Sequence, residues 1–375
     1  MKVLVLGKYY PPHHGGIETL TKTSCEGYAR CGDDVSCVVA NDAGRTVREV
    51  LNGVRVRRCA AWGTVFSLPV SPGYLASGRQ EGDVVQMHFP NPLADLALWL
   101  GRRAAPWVVT YHSDVVRQAS VQRGYRPLMD WMLGRAARIV VATPPQREAS
   151  PVLRRYRDKC EVIPFGLDLE RFARQGAEPA GMAEALAEAA GRPVLLNIGR
   201  LVEYKGQRYL IEALRGLDAV GWLVGSGPLR GELEEQARGL GVRDRVRFWG
   251  EVDDEALPAL LRACDVFVLP SITPNEAFGL VQVEAMACGK PVVSCRLESG
   301  VPYVNRDGET GWVVAPADAE ALASALETLC ADRALRARFG EAGRLRARDE
   351  FALEKMVSRY RDLFARVRAE RRDGG

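Results

Sequence analysis

The chain has 375 residues, 47% hydrophobic and 26% charged, too many for one compact core and ordinary in composition for a two-domain globular enzyme. No apolar run approaches the ~20 residues that span a bilayer, and residues 3–7 are too short for a signal-peptide core. The net charge of +4 hides an asymmetry: residues 1–165 carry 22 Lys/Arg against 14 Asp/Glu (net +8), and the remainder 29 against 33 (net −4).

Short β-rich runs alternate with helical patterns, the signature of parallel α/β layers. Strands are predicted over 3–6, 35–40, 54–57, 84–87, 108–111, 139–142 and 160–163, and then over 194–198, 222–224, 246–248, 266–269, 291–294 and 312–314. Each half reads as its own doubly wound sheet, with domains at 1–165 and 191–352. Residues 166–190 read as the connection, passing from a turn at Phe165-Gly-Leu-Asp168 into an Ala-rich helical patch. From 353 to 375 apolar residues fall at 353, 356, 357, 360, 363, 364 and 367, the spacing of an amphipathic helix. The nine cysteines are scattered without a C-x-x-C and read as small core residues of a reduced, cytoplasmic protein.

The most specific run starts at Asn275, NEAFGLVQVEAMACGKPVV, after an apolar strand. A strand that breaks into a turn and then a helix presents unpaired N–H groups and a positive dipole end to an anion, and Gly279 admits a phosphate close to the main chain. Glu276 stands just before this helix and Glu284 is expected about two turns into it, one carboxylate on each side of the anion site. That spacing suits a nucleotide sugar, with ribose at one end and the transferred sugar at the other. By itself the pair also fits two solvated glutamates.

Gly15 and Gly16, after His13-His14, open a helix where backbone amides can reach a phosphate, though by themselves they fit a plain connecting loop better. Arg200 and Lys205 follow a strand, where two fixed cations could balance charge on a departing diphosphate, although either alone reads as an ordinary surface residue. His112, with Asp114 two residues on, follows the strand over 108–111, and His88 ends another; each also fits a packing role. The lone Gly225-Ser-Gly227 is too little for a dinucleotide fingerprint. No Asp-x-Asp or zinc spacing is present.

The run from Glu276 closely resembles the E-x7-E region of retaining glycosyltransferases of family 4, in Phe278, Gly279, Glu284, Ala285, Met286, Ala287, Gly289, Pro291 and Val292 as well as Glu276. Further elements similar to the family's extend over nearly the whole chain. The resemblance implies a GT-B fold, two Rossmann-like domains with an interdomain cleft, and a last helix that packs back on the N-terminal domain. It assigns Glu276 to the transferred sugar, Glu284 to the ribose, the amides of Phe278, Gly279 and Leu280 to the donor phosphate, and Gly16, supported by Gly15, to the diphosphate. It also implies diphosphate binding by Arg200 and Lys205, a contact of His112 with a sugar hydroxyl, and base contacts by Val252 and Asp254. Leu257 departs from a lysine that helps hold guanine in a mannosyltransferase relative. His88 and Asp114 are candidates for the acceptor side, and Asp114 for orienting His112.

The activity so implied is metal-independent, cofactor-free transfer of a sugar, with mannose from GDP-mannose as first choice, to a saccharide acceptor. An epimerase on the same fold and a non-catalytic glycan- or nucleotide-binding module are the alternatives. From Trp99 to Arg138 the chain mixes Arg102, Arg103, Arg117, Arg123, Arg126, Arg135 and Arg138 with Trp99, Trp107, Tyr125 and Trp131. This mixture suits a polyprenyl-diphosphate-linked acceptor and peripheral attachment to an anionic membrane. It equally suits a solvated face over buried tryptophans. No nucleic-acid-reading motif is present.

Overall fold

In a computed structural model, the structure describes residues 1–13, 15–65, 68–101, 105–114, 119–174 and 177–373. The chain divides into two compact units, one of Met1–Gly166 with Leu353–Gly375 and the other of Leu167–Ala352.

The first unit carries β1 (Lys2–Leu6), β2 (Asp34–Ala40), β3 (Val47–Leu51), β4 (Val54–Cys59), a small hairpin of β5 (Thr64–Val65) and β6 (Leu68–Pro69), β7 (Val84–Phe89), β8 (Trp107–Tyr111), β9 (Arg138–Val141) and β10 (Cys160–Val162). Eight of them form one sheet in the order β10-β9-β8-β7-β1-β2-β4-β3, parallel except for the β3–β4 pair. Helices cover its faces, and every residue of β7 and β8 is buried, the polar Gln86, His88 and Thr110 among them. The core beneath them gathers Leu4, Val85, Met87, Val109, Ile139 and their neighbours.

The terminal helix, Leu353–Asp373, belongs to this unit. All seven apolar positions of its stripe are buried. Tyr360 and Phe364 meet the edge of Tyr28 on the helix Gly16–Arg30, with ring centroids 6.2 and 5.5 Å away. Arg361 Nε donates to Asp33 Oδ2 at 2.7 Å, and Tyr360 Oη lies 2.9 Å from Thr110 Oγ1 on β8.

The second unit is a wholly parallel sheet of β11 (Val194–Ile198), β12 (Val220–Val224), β13 (Val246–Gly250), β14 (Val266–Leu269), β15 (Val292–Cys295) and β16 (Gly311–Val314), in the order β13-β12-β11-β14-β15-β16. From Leu167 the segment read as a connection is packed structure of this unit. Its helix Met182–Ala189 buries Met182, Ala185 and Ala189, and Glu188 accepts from Arg247 at 2.9 Å.

Each of the thirteen predicted strands is present, with ends within two residues of those expected. The basic stretch sorts differently from its sequence. Trp107 is 4% exposed and Trp131 and Tyr125 pack against the core, while Trp99 and Leu100 stand exposed at the end of the helix Pro92–Gly101. Arg138 is paired with Glu161 and Glu370, and Arg135 lies over the Trp131 ring. Arg102, Arg103 and Arg117, the Arg123 side chain and His14 lie outside what the structure describes. Among the described residues no helix is long and apolar enough to cross a membrane. All nine cysteines are free thiols, six of them buried.

Candidate functional site

In an open parallel sheet, ligands sit outside the carboxyl ends of the strands, where the strand order reverses. In the second unit that point lies between β11 and β14. The loop after β11 carries Arg200 and Lys205, and the loop after β14 carries Glu276. Two backbone contacts fasten these loops together. Ile272 N donates to Tyr204 O at 2.9 Å, and Gly206, at φ +66°, packs so tightly on Pro270 that a Cβ would fall 2.0 Å from its carbonyl oxygen. Lys205 Nζ consequently reaches Glu276 Oε2 at 2.5 Å, and Ser271 Oγ donates to the same oxygen at 3.0 Å. Glu276 is 8% exposed. Arg200 is exposed and has no ion pair among the described residues.

Beyond Glu276 the chain turns through Gly279, at φ +69°, into the helix Leu280–Ala287. A Cβ on Gly279 would press on Leu269 and Gln282 at 2.8 and 2.7 Å, so the turn admits glycine alone. Phe278 is buried edge-on to Phe351, with centroids 5.8 Å apart. The first amides of the helix, from Leu280 on, have no carbonyl within the helix to bond. Glu284 is its fifth residue, one turn in where two were expected, because the helix starts only after Gly279. Burial pushes its carboxyl up to about 7, with Arg171 opposing and Asp254 reinforcing the shift.

Arg171, on the short helix Glu170–Ala173, gave no signal in the sequence. Its guanidinium also bonds the carbonyl oxygen of Asp254, which ties down the loop holding Val252 and Asp254. The Gly225-Ser-Gly227 run is explained by packing. A Cβ on Gly225 would fall 2.2 Å from Gly199 O, and one on Gly227 2.3 Å from Leu201 O, so both glycines let the loops after β11 and β12 touch.

In the first unit the order reverses between β1 and β7. Gly15 and Gly16 follow β1 at the start of the 15-residue helix Gly16–Arg30, both exposed, and a Cβ on Gly16 would meet nothing within 4 Å. His88 lies on β7 and His112 directly after β8. His88 Nδ1 and His112 Nε2 are 3.0 Å apart, and the rings are near-parallel at 15°. Burial lowers both, His88 well below the usual histidine range and His112 to about 4, so both are neutral at physiological pH. Asp114 does not orient His112. It accepts from Tyr111 Oη at 2.5 Å and Ser150 Oγ at 2.7 Å, and among the described residues the ring partner of His112 is His88.

Two family patterns cover this architecture: a glycosyl transferase 4-like domain matches residues 15–166, and glycosyl transferases group 1 matches residues 182–346. This chain is a group 1 glycosyltransferase. It is 37% identical over 334 residues to the D-rhamnosyltransferase WbpZ of Pseudomonas aeruginosa, covering 88% of this chain and 86% of that one. It is 31% identical over 368 residues to the O-antigen chain mannosyltransferase C of Escherichia coli, covering 97% and 98%. The fold is GT-B: Anabaena HepE, solved in complex with UDP, superposes with a TM-score of 0.76 at 22% identity, over 97% of this chain and all of that one.

Proposed function

We propose that this group 1 glycosyltransferase is a retaining enzyme that moves mannose from GDP-mannose to a saccharide acceptor carried on a lipid, in the building of a cell-surface polysaccharide or glycolipid. The observation that carries the reading is the convergence at the β11–β14 switch point. There a buried Glu276 is held by Lys205 and Ser271, beside a glycine turn into a helix that carries Glu284. Glu276 binds hydroxyls of the transferred sugar. The amides of Phe278, Gly279 and Leu280 take the phosphates together with Arg200 and Lys205, and Glu284 takes the ribose. Val252 and Asp254 border the base. Gly15 and Gly16 serve the diphosphate from the first unit, where His112 contacts a sugar hydroxyl and His88 and Asp114 shape the acceptor side. The mannosyltransferase relative supports the sugar, and the basic first unit supports the lipid-linked acceptor.

The bond from the anomeric carbon to the phosphate oxygen breaks as the acceptor oxygen bonds to the same face. The acceptor proton passes to the departing phosphate. Arg200 and Lys205 supply the positive charge for this step without a metal. Thermal shifts against UDP, GDP, ADP and their sugars, followed by product analysis, test the reading. GDP-mannose should stabilise the protein most and yield an α-linked mannoside. An epimerised donor, or binding without turnover, would overturn it.

A further inference from the structure

We propose that His88 is a positioning residue that holds His112 in a single tautomer, with its proton on Nδ1, so that His112 offers a substrate oxygen an N–H. This rests on reading His112 as the group beside the transferred sugar. The parallel register of β7 and β8 sets His88 opposite Thr110 and Phe89 opposite Tyr111, and His112 N donates to Phe89 O at 3.0 Å. Backbone pairing alone therefore brings the two imidazoles edge to edge. The His112 ring is further held by Phe165, 5.5 Å away between centroids, and its carbonyl by Gln146 Nε2 at 2.8 Å.

Both rings are neutral, and two bare nitrogens would repel each other at 3.0 Å, so one proton lies between His88 Nδ1 and His112 Nε2, and it has two possible owners. If His112 Nε2 carries it, His88 must keep its own proton on Nε2. That atom is fully buried with no hydrogen-bond partner among the described residues. A buried N–H without an acceptor is the rarer and costlier orphan, whereas a bare nitrogen lone pair is better tolerated. The geometry therefore favours the other owner, with His88 Nδ1–H donating to His112 Nε2. His112 then carries its proton on Nδ1, and its ring makes no other hydrogen bond among the described residues. In this state His112 is a fixed hydrogen-bond donor to a sugar oxygen and not a base.

The test uses the full chain labelled with ¹⁵N-histidine, whose four histidines make assignment tractable. Long-range ¹H–¹⁵N spectra at pH 7 should show His112 protonated at Nδ1 and bare at Nε2. In His88→Asn the amide takes the place of the Nδ1–H, so the tautomer should persist and part of the rate lost in His88→Ala should return. In His88→Ala the tautomers should mix and kcat should fall by about tenfold or more, with KM for the nucleotide sugar nearly unchanged. A wild-type His112 protonated at Nε2, or an unaltered tautomer in His88→Ala, overturns the proposal. A loss of rate in His88→Asn as large as in His88→Ala overturns it too, because the role would then be packing alone. The spectra need no turnover, so failure of the glycosyltransfer reading would show separately, as absence of transferred product.

Discussion

Lys205 Nζ lies 2.5 Å from Glu276 Oε2, joining the loop after β11 to the loop after β14 across 71 residues of sequence. The two side chains are 13% and 11% exposed, so each is the other's main compensation for leaving water. On the proposed reading, Lys205 must turn toward the diphosphate as the sugar takes over Glu276.

The first prediction follows from that exchange. Glu276→Gln removes the competitor for Lys205, so GDP should bind as well as to the parent or up to about tenfold tighter, while turnover collapses. Lys205→Ala should weaken GDP and strand a buried carboxylate, with a stability loss of roughly 3–5 kcal/mol. Calorimetry and denaturant unfolding read both. Weaker GDP binding by Glu276→Gln would remove the competition argument.

Glu284 gives a prediction in pH. Its carboxyl lies at about 7 in the fold against an ordinary 4.5, so the protonated form is favoured in the empty site. Its contribution to stability is complete below about 4.5 and is lost as pH rises through 7. Glu284→Gln should therefore match the parent near pH 4 and exceed it above pH 8, by on the order of 2 kcal/mol. Ribose hydroxyls need the charged carboxylate, so GDP affinity of the parent should rise between pH 6 and 8. In Glu284→Gln it should be flat and lower by roughly 1.5–3 kcal/mol. A pH-independent parent would refute the ribose assignment.

Arg200 is exposed and free of ion pairs among the described residues, as suits a cation that meets its partner only in the loaded site. Arg200→Ala should lose about 3 kcal/mol of transition-state stabilisation in kcat/KM. Transfer by the parent should continue in EDTA. Loss of activity there, with rescue by Mg²⁺ or Mn²⁺, would show that these side chains do not replace a metal.

Membrane attachment is testable at the only part of the basic stretch whose aromatic residue is exposed among the described residues. Trp99 and Leu100 are 50% and 44% exposed. Replacing both by serine should release the protein from anionic vesicles, as should raised salt, since exposed charges are screened beyond about 10 Å at 0.1 M. Arg126→Gln with Arg135→Gln should act more weakly, because Arg126 has Asp130 at 3.8 Å and Arg135 lies over Trp131. Vesicle binding unchanged in Trp99→Ser/Leu100→Ser would place any membrane face elsewhere.

The strands were legible because the buried ones are short runs rich in Val, Leu and Ile between turn residues. β3 escaped, since Val47–Leu51 sets two adjacent charged residues, Arg48 and Glu49, among apolar ones at a half-exposed edge. Its hairpin signal was nevertheless present in Asn52-Gly53, whose φ angles of 48° and 82° are those an Asn-Gly turn supplies. At the site, residue types in a local run could be read, but partners could not. The pairing of His88 with His112 depends on strand register, and that of Lys205 with Glu276 on a sheet neighbour. Asp114 looked poised for His112 by proximity in sequence, yet turns to Tyr111 and Ser150. Arg171 carries no pattern of its own and matters only through where its short helix packs.

The first unit is interrupted: its last helix, Leu353–Asp373, follows the whole of the second unit in the chain. During synthesis the stretch Met1–Gly166 leaves the ribosome with the surface around Tyr28 and Asp33 still uncovered. The second unit, contiguous from Leu167 to Ala352, is free to fold first. The first unit closes only when the helix Leu353–Asp373 has been made. A nascent chain stalled before Leu353 should therefore hold a finished second unit and an open first unit. The state of the first unit thus reports whether the helix Leu353–Asp373 has been made.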